Sequence, residues 1–152
     1  MKKILLKLIN TEDCWAPVTI RTMAGIVMFA HGAQKLFGWF GGYGFEGTMK
    51  FMTEGAGLPA LIAFLVIIGE SIGSLMLVAG IATRFVAASQ AIIMFGALKM
   101  HLGNGFFINW FGNQSGEGIE YHLLYIGMMF SLLISGAGKF SLDAFLRKRQ
   151  AL

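Results

Sequence analysis

Few residues in this 152-residue chain can do chemistry, and most of them sit inside apolar sequence. Glu70 is flanked as Gly69-Glu70-Ser71-Ile72-Gly73 in a long hydrophobic run. His31, Gln34 and Lys35 lie in a second run, His101 and Asn104 close a third, and Glu120, Tyr121 and His122 open a fourth. A carboxyl at bilayer depth costs a few kcal/mol, about 2.5–3.5 on insertion scales, so it needs a partner or a proton to carry. Imidazoles, amides and an ammonium at that depth are hydrogen-bonding groups for a ligand's oxygen atoms. The set suits acid–base and binding chemistry, with Glu70 and His31 as the candidate proton-handling pair. Nucleophilic and redox-thiol chemistry find no support: Cys14 is the single cysteine, which excludes an internal disulfide, a CxxC pair and a cysteine zinc cage. No HxxxH or ExxH spacing is present, and no dinucleotide or flavin fingerprint.

Helical spacing groups these residues. At about 100° per residue, Arg21, Met28, His31, Gln34 and Lys35 fall within roughly 140° of one helix face, which must look into protein. Gln90, Met94, His101 and Asn104 recur on one stripe of the third run. Glu117, Glu120 and Tyr121 share a face at the start of the fourth. Each group has a plainer reading beside the chemical one. Glu70 could clamp helices through Arg21 or His31; Arg21 and Lys35 could snorkel to opposite bilayer edges, and Lys99 points outward. Glu117 and Glu120 suit a helix's first turn. Gly69-x-x-x-Gly73 is a candidate close-approach motif.

The elements that must hold these residues follow from composition. The chain is 56% apolar and 13% charged, with 21 glycines and a mean hydropathy of +0.68. Soluble domains are about a quarter charged, so this composition excludes disorder, a coiled coil, a nucleic-acid binder and most soluble enzymes. A bilayer core takes roughly 20 helical residues. Four stretches qualify, at about 18–37, 59–79, 84–101 and 119–136, with glycine, proline and asparagine between them. The fold class expected is all-α: a single polytopic domain over residues 1–152, built as a four-helix transmembrane bundle.

Charge sets the orientation. Lys2, Lys3 and Lys7, Arg84, and Lys139, Arg147, Lys148 and Arg149 fall on one side if the number of spans is four. The positive-inside rule then puts both termini in the cytoplasm, with the chain in the cell (inner) membrane. Net charge of +4 and pI near 9.4 fit basic cytoplasmic ends better than an acidic partner. Residues 1–16 read as an amphipathic interfacial segment rather than a signal peptide, because Glu12, Asp13 and Pro17 break any apolar core. The outer loops 38–58 and 102–118 are crowded with aromatics, among them Trp39, Phe40, Tyr43, Phe106, Phe107, Trp110 and Phe111. They form an aromatic belt or a lid, with a short interfacial helix at 46–55. All three histidines lie in the outer half with Gln34, Lys35, Lys99, Asn104, Glu117 and Glu120, and Glu70 lies beneath. That asymmetry predicts a polar pocket opening outward.

The segments His31-Gly32-Ala33-Gln34-Lys35-Leu36-Phe37-Gly38, Gly69-Glu70-Ser71-Ile72-Gly73, His101-Leu102-Gly103-Asn104-Gly105-Phe106-Phe107 and Gly136-Ala137-Gly138-Lys139-Phe140-Ser141-Leu142-Asp143 together resemble the DoxX family of small bacterial and archaeal membrane proteins. The resemblance implies four transmembrane helices and a redox association, since the family includes a subunit of an archaeal thiosulfate:quinone oxidoreductase. It supplies no catalytic residues to carry over. Three functions then compete. In the first, a quinone is bound by Gln34, Lys35, His101, Asn104, Glu120 and His122, with Glu70 and His31 catalytic and electrons delivered by a bound substrate, a partner or a further cofactor. In the second, histidines with Met28 and Met100 hold copper, or two histidines hold haem, although no metal ligand set is assigned. In the third, the chain is a non-enzymatic scaffold or small transporter. Membrane lipids and a second copy or redox partner are the expected partners; nucleic acid is not.

Overall fold

The computed structural model describes residues 9–150, so the first half of the amphipathic segment expected at 1–16 lies outside the described residues. The described chain is helical, without strands. Four long helices dominate: α1, Ala16–Phe37; α3, Ala60–Ala79; α4, Thr83–His101; and α5, Glu120–Ser135. Two short ones accompany them: α2, Gly44–Lys50, and α6, Leu142–Gln150. All four stretches read as helical from the sequence are helices. Two of them, Ala60–Ala79 and Thr83–Asn104, are long and apolar enough to cross a membrane; α5 has 16 residues, and α1 carries Arg21, His31, Gln34 and Lys35.

Local signals explain the ends. Pro17 opens α1, where its missing N–H is no loss. Gly38 closes α1 at φ +73° and Gly80 closes α3 at φ +67°, the left-handed caps that glycine adopts without strain. The break before α4 is less ordinary. Ala82 takes φ +47°, which costs a residue with a Cβ. Asp143 offsets that cost: its carboxylate accepts the N–H groups of Ala82 at 2.8 Å and Thr83 at 2.9 Å. A negative charge at a helix N-terminus is favourable both as a cap and against the macrodipole.

The long helices close a ring in the order α1, α3, α4, α5. The α1–α3 seam is the most extensive of the four. It is close because Gly25 and Gly32 face α3: a Cβ on Gly25 would meet Ser74 O at 2.8 Å, and one on Gly32 would overlap the backbone of Glu70 and Ser71. Gly69 and Gly73 instead face side chains of α4, Ile93 and Gln90, so the Gly69-x-x-x-Gly73 motif is not where backbones meet. Met28, Leu77, Ala87, Tyr125, Met129 and Leu132 fill the centre.

At one end of the ring, two arginines cap helices. Arg21 is 2% exposed and donates to Leu77 O at 3.2 Å and to Val78 O, the last carbonyls of α3. It also donates to Ala137 O and Phe140 O, both at 2.9 Å. Arg84 donates to Leu133 O and to Ile134 O at 2.7 Å, the last carbonyls of α5. Arg21 therefore neither snorkels nor clamps Glu70: orphan carbonyls at a helix end are a nearer partner for a guanidinium fork.

Candidate functional site

At the opposite end of the ring lies a cavity of about 480 Å³. All four long helices reach it. α1 contributes Met28, His31 and Lys35; α3 contributes Glu70; α4 contributes Met94, Ala97 and His101; α5 contributes Tyr121 and His122. Ile108, Glu117 and Gly118 close it from the connection between α4 and α5.

Glu70 is a buried carboxylate, and its partner is Lys35, one helix away, at 2.6 Å. The Lys35 side chain keeps 24% exposure against 6% for Glu70, so the pair is sunk at the carboxylate and open at the ammonium. Lys35 reaches inward rather than snorkelling, because a charge-assisted bond in low dielectric outweighs distant water. The Gly32 contact makes this geometry: it brings α1 onto the backbone of Glu70 itself, and Lys35 follows three residues on.

The rings run along the wall in sequence. His31 and Tyr121 have centroids 5.9 Å apart, Tyr121 and His122 5.8 Å, and His122 and His101 4.7 Å. Beneath them, Tyr125 donates to Gln90 Oε1, and Gln90 Nε2 donates to Gly69 O at 3.0 Å. That pair is buried and fully bonded, so it supports the wall from below.

Of the residues read from sequence, the structure brings His31, Lys35, Glu70, His101 and His122 onto one cavity. Gln34, Asn104 and Glu120 stand off it. Gln34 Nε2 donates to Phe40 O at 3.4 Å, and Asn104 Nδ2 to Glu117 O at 3.1 Å, both in loop closure. Glu120 begins α5, with its backbone N–H on Phe106 O. Glu117 does not serve a first turn; it accepts the backbone N–H of Asn109 at 2.8 Å. Met28 lines the cavity, whereas Met100 is exposed away from it. Among the described residues, no three of His, Cys, Asp and Glu converge on a point where a metal would sit. Sequence spacing missed Gln90–Tyr125 as a unit, because its members lie on different helices; Tyr121 and Tyr125, at i and i+4 beside His122, were the available signal.

The two aromatic loops differ in role. The second covers the cavity, tied by Ile119 N–H on Gly105 O and by a close approach of Gly118 to the carbonyls of Phe106 and Phe107. The first does not line it. It is helical at Gly44–Lys50 and Phe51–Gly55, and its rings pack sideways, Trp39 on Phe29 and Phe45 on Phe64.

A small ring of apolar helices, closed around a charged pair and a row of imidazole and phenol rings at one end, defines a helical membrane-type protein with an internal polar site. The DoxX family profile matches residues 16–109, and the chain belongs to that membrane-associated family. It is 30% identical over 129 residues to "Putative oxidoreductase CatD" of Bacillus subtilis (strain 168), covering 85% of each chain. No solved structure matches it. The family match spans α1, α3 and α4 and stops before α5, which carries Tyr121 and His122.

Proposed function

We propose that the chain is a four-span inner-membrane protein, with both termini cytoplasmic, that binds a quinone in the cavity as part of a redox system. The cavity carries this reading. Its volume falls in the range of about 300–1,000 Å³ typical of small-molecule sites, and its wall mixes apolar surface with a few convergent polar groups. Tyr121 Oη is buried beside it with no hydrogen-bond partner among the described residues, which adds unmet polarity to this end of the ring. The DoxX membership and the oxidoreductase label of the Bacillus relative support a redox setting.

A quinone supplies a two-electron, two-proton couple when bound. The protein's own residues bind and move protons. Lys35 Nζ is a donor on the wall; Glu70, beside it, holds a proton at a carboxylate oxygen in this reading, with His31 next along the wall. The sequence carries no thiol pair or flavin fingerprint, so in this reading electrons come from a bound substrate, a partner protein or a further cofactor.

The test is a titration of purified protein in lipid nanodiscs with a short-chain 1,4-benzoquinone and, separately, its quinol. Saturable binding of at least one form is expected, weakened about tenfold or more in Lys35→Met. Absence of saturable binding by both forms overturns the reading.

A further inference from the structure

The hydrogen-bonding groups on the cavity wall are not symmetric between the two redox forms of a quinone. The donor comes first. Lys35 Nζ, partly open on the cavity wall, makes one bond, to Glu70, with two hydrogens to spare. Either form can accept from it, since quinone carbonyls and quinol hydroxyls both carry lone pairs.

The acceptors discriminate. His101 Nδ1 lies 2.8 Å from the carbonyl oxygen of Ala97. A carbonyl only accepts, so Nδ1 carries the hydrogen. In the neutral ring Nε2 is then a bare lone pair. Among the described residues it meets no donor, although the ring lines the cavity. Glu70 repeats the pattern: one carboxylate oxygen takes Lys35, and the other has no donor among the described residues. Two acceptors facing one small cavity ask for hydrogen-bond donors. A quinone has none on its ring oxygens; a quinol has two.

We infer that the cavity selects the reduced, dihydroxy form, with a quinol hydroxyl donating to His101 Nε2 and a ring oxygen accepting from Lys35 Nζ. This rests on the quinone reading above and assigns the redox state held. His101 is the residue that sets the preference. Its backbone bond to Ala97 fixes the tautomer, as an oriented imidazole requires.

The experiment measures dissociation constants for the same short-chain benzoquinone and its quinol, anaerobically, on the full chain in nanodiscs. Wild type is expected to bind the quinol about tenfold more tightly, which raises the midpoint potential of the bound two-electron couple by about 30 mV. His101→Phe, which removes the acceptor, brings the ratio toward one. His101→Gln, whose amide oxygen restores an acceptor, keeps part of the preference. Equal or tighter quinone binding by wild type overturns the inference and leaves the quinone site standing. A full quinol preference retained in His101→Phe overturns the assignment to His101. Binding of neither form removes the quinone reading itself, and the inference with it.

Discussion

Lys35 and Glu70 show why a buried charge is held in pairs. Removing one partner leaves the other uncompensated, at a cost of about 3 kcal/mol or more for a buried pair, less here because Lys35 is partly open. Glu70→Ala and Lys35→Met are each expected to lower stability by about 2–3 kcal/mol. The double variant is expected to lose less than the sum, and strict additivity in a denaturation cycle would show that the two do not interact. Tyr121 makes the opposite prediction. Its hydroxyl is buried without a partner, so Tyr121→Phe removes an unpaid desolvation of about 1–3 kcal/mol. The variant should melt above wild type; lower melting would make the hydroxyl a bonded structural group. Chemistry at this scale was partly legible. Glu70 announces itself as a carboxyl in apolar sequence, and the histidines gather in the outer half above it. Its partner was not legible, because Lys35 on α1 looks like a chain-end lysine until Gly32 places it beside α3.

Among the elements, glycine decides which helices meet. Gly32→Ala would drive a methyl into the backbone of Glu70, and backbone cannot swing aside as a side chain can. Overpacking of that kind costs about 1–3 kcal/mol, and it should also loosen the Lys35–Glu70 bond. Gly127→Ala on α5 is the control, since nothing stands within 4 Å of its added Cβ. It is expected to leave thermal stability unchanged or raise it by up to about 1 kcal/mol through helix propensity. A larger loss from Gly127→Ala than from Gly32→Ala would contradict the seam. The four long helices could be read from length and glycine breaks to within a residue or two at each end, whereas the short helix Leu142–Gln150 was not foreseen. The seam could not, because 21 glycines offer too many candidate pairs, and the Gly69–Gly73 spacing pointed to the wrong one. Nor could the capping arginines be foreseen, since their partners are carbonyls on distant helices.

For the whole molecule, the four-span reading makes a sidedness prediction. Cys14 is exposed and is the chain's sole cysteine, so it reports one face without further engineering. A membrane-impermeant maleimide should label it in inverted vesicles and not in intact cells. A cysteine placed by Trp110→Cys in a Cys14→Ser background should show the reverse. Labelling of both from one side would require an even number of crossings between them, against the three of the four-span reading. The α1–α3 seam carries one further consequence, for motion. Gly32 nests on the backbone of Glu70 while Lys35 holds its side chain, so sliding α1 along α3 by one turn would lose a steric fit and an ion pair together. These two helices therefore travel as one rigid plate. A carrier that alternates its access needs bodies that rock past each other. Any such freedom in this chain has to be sought across the much slighter α1–α5 seam or in the covering loop, where a hinge would open the cavity sideways without disturbing its charged floor.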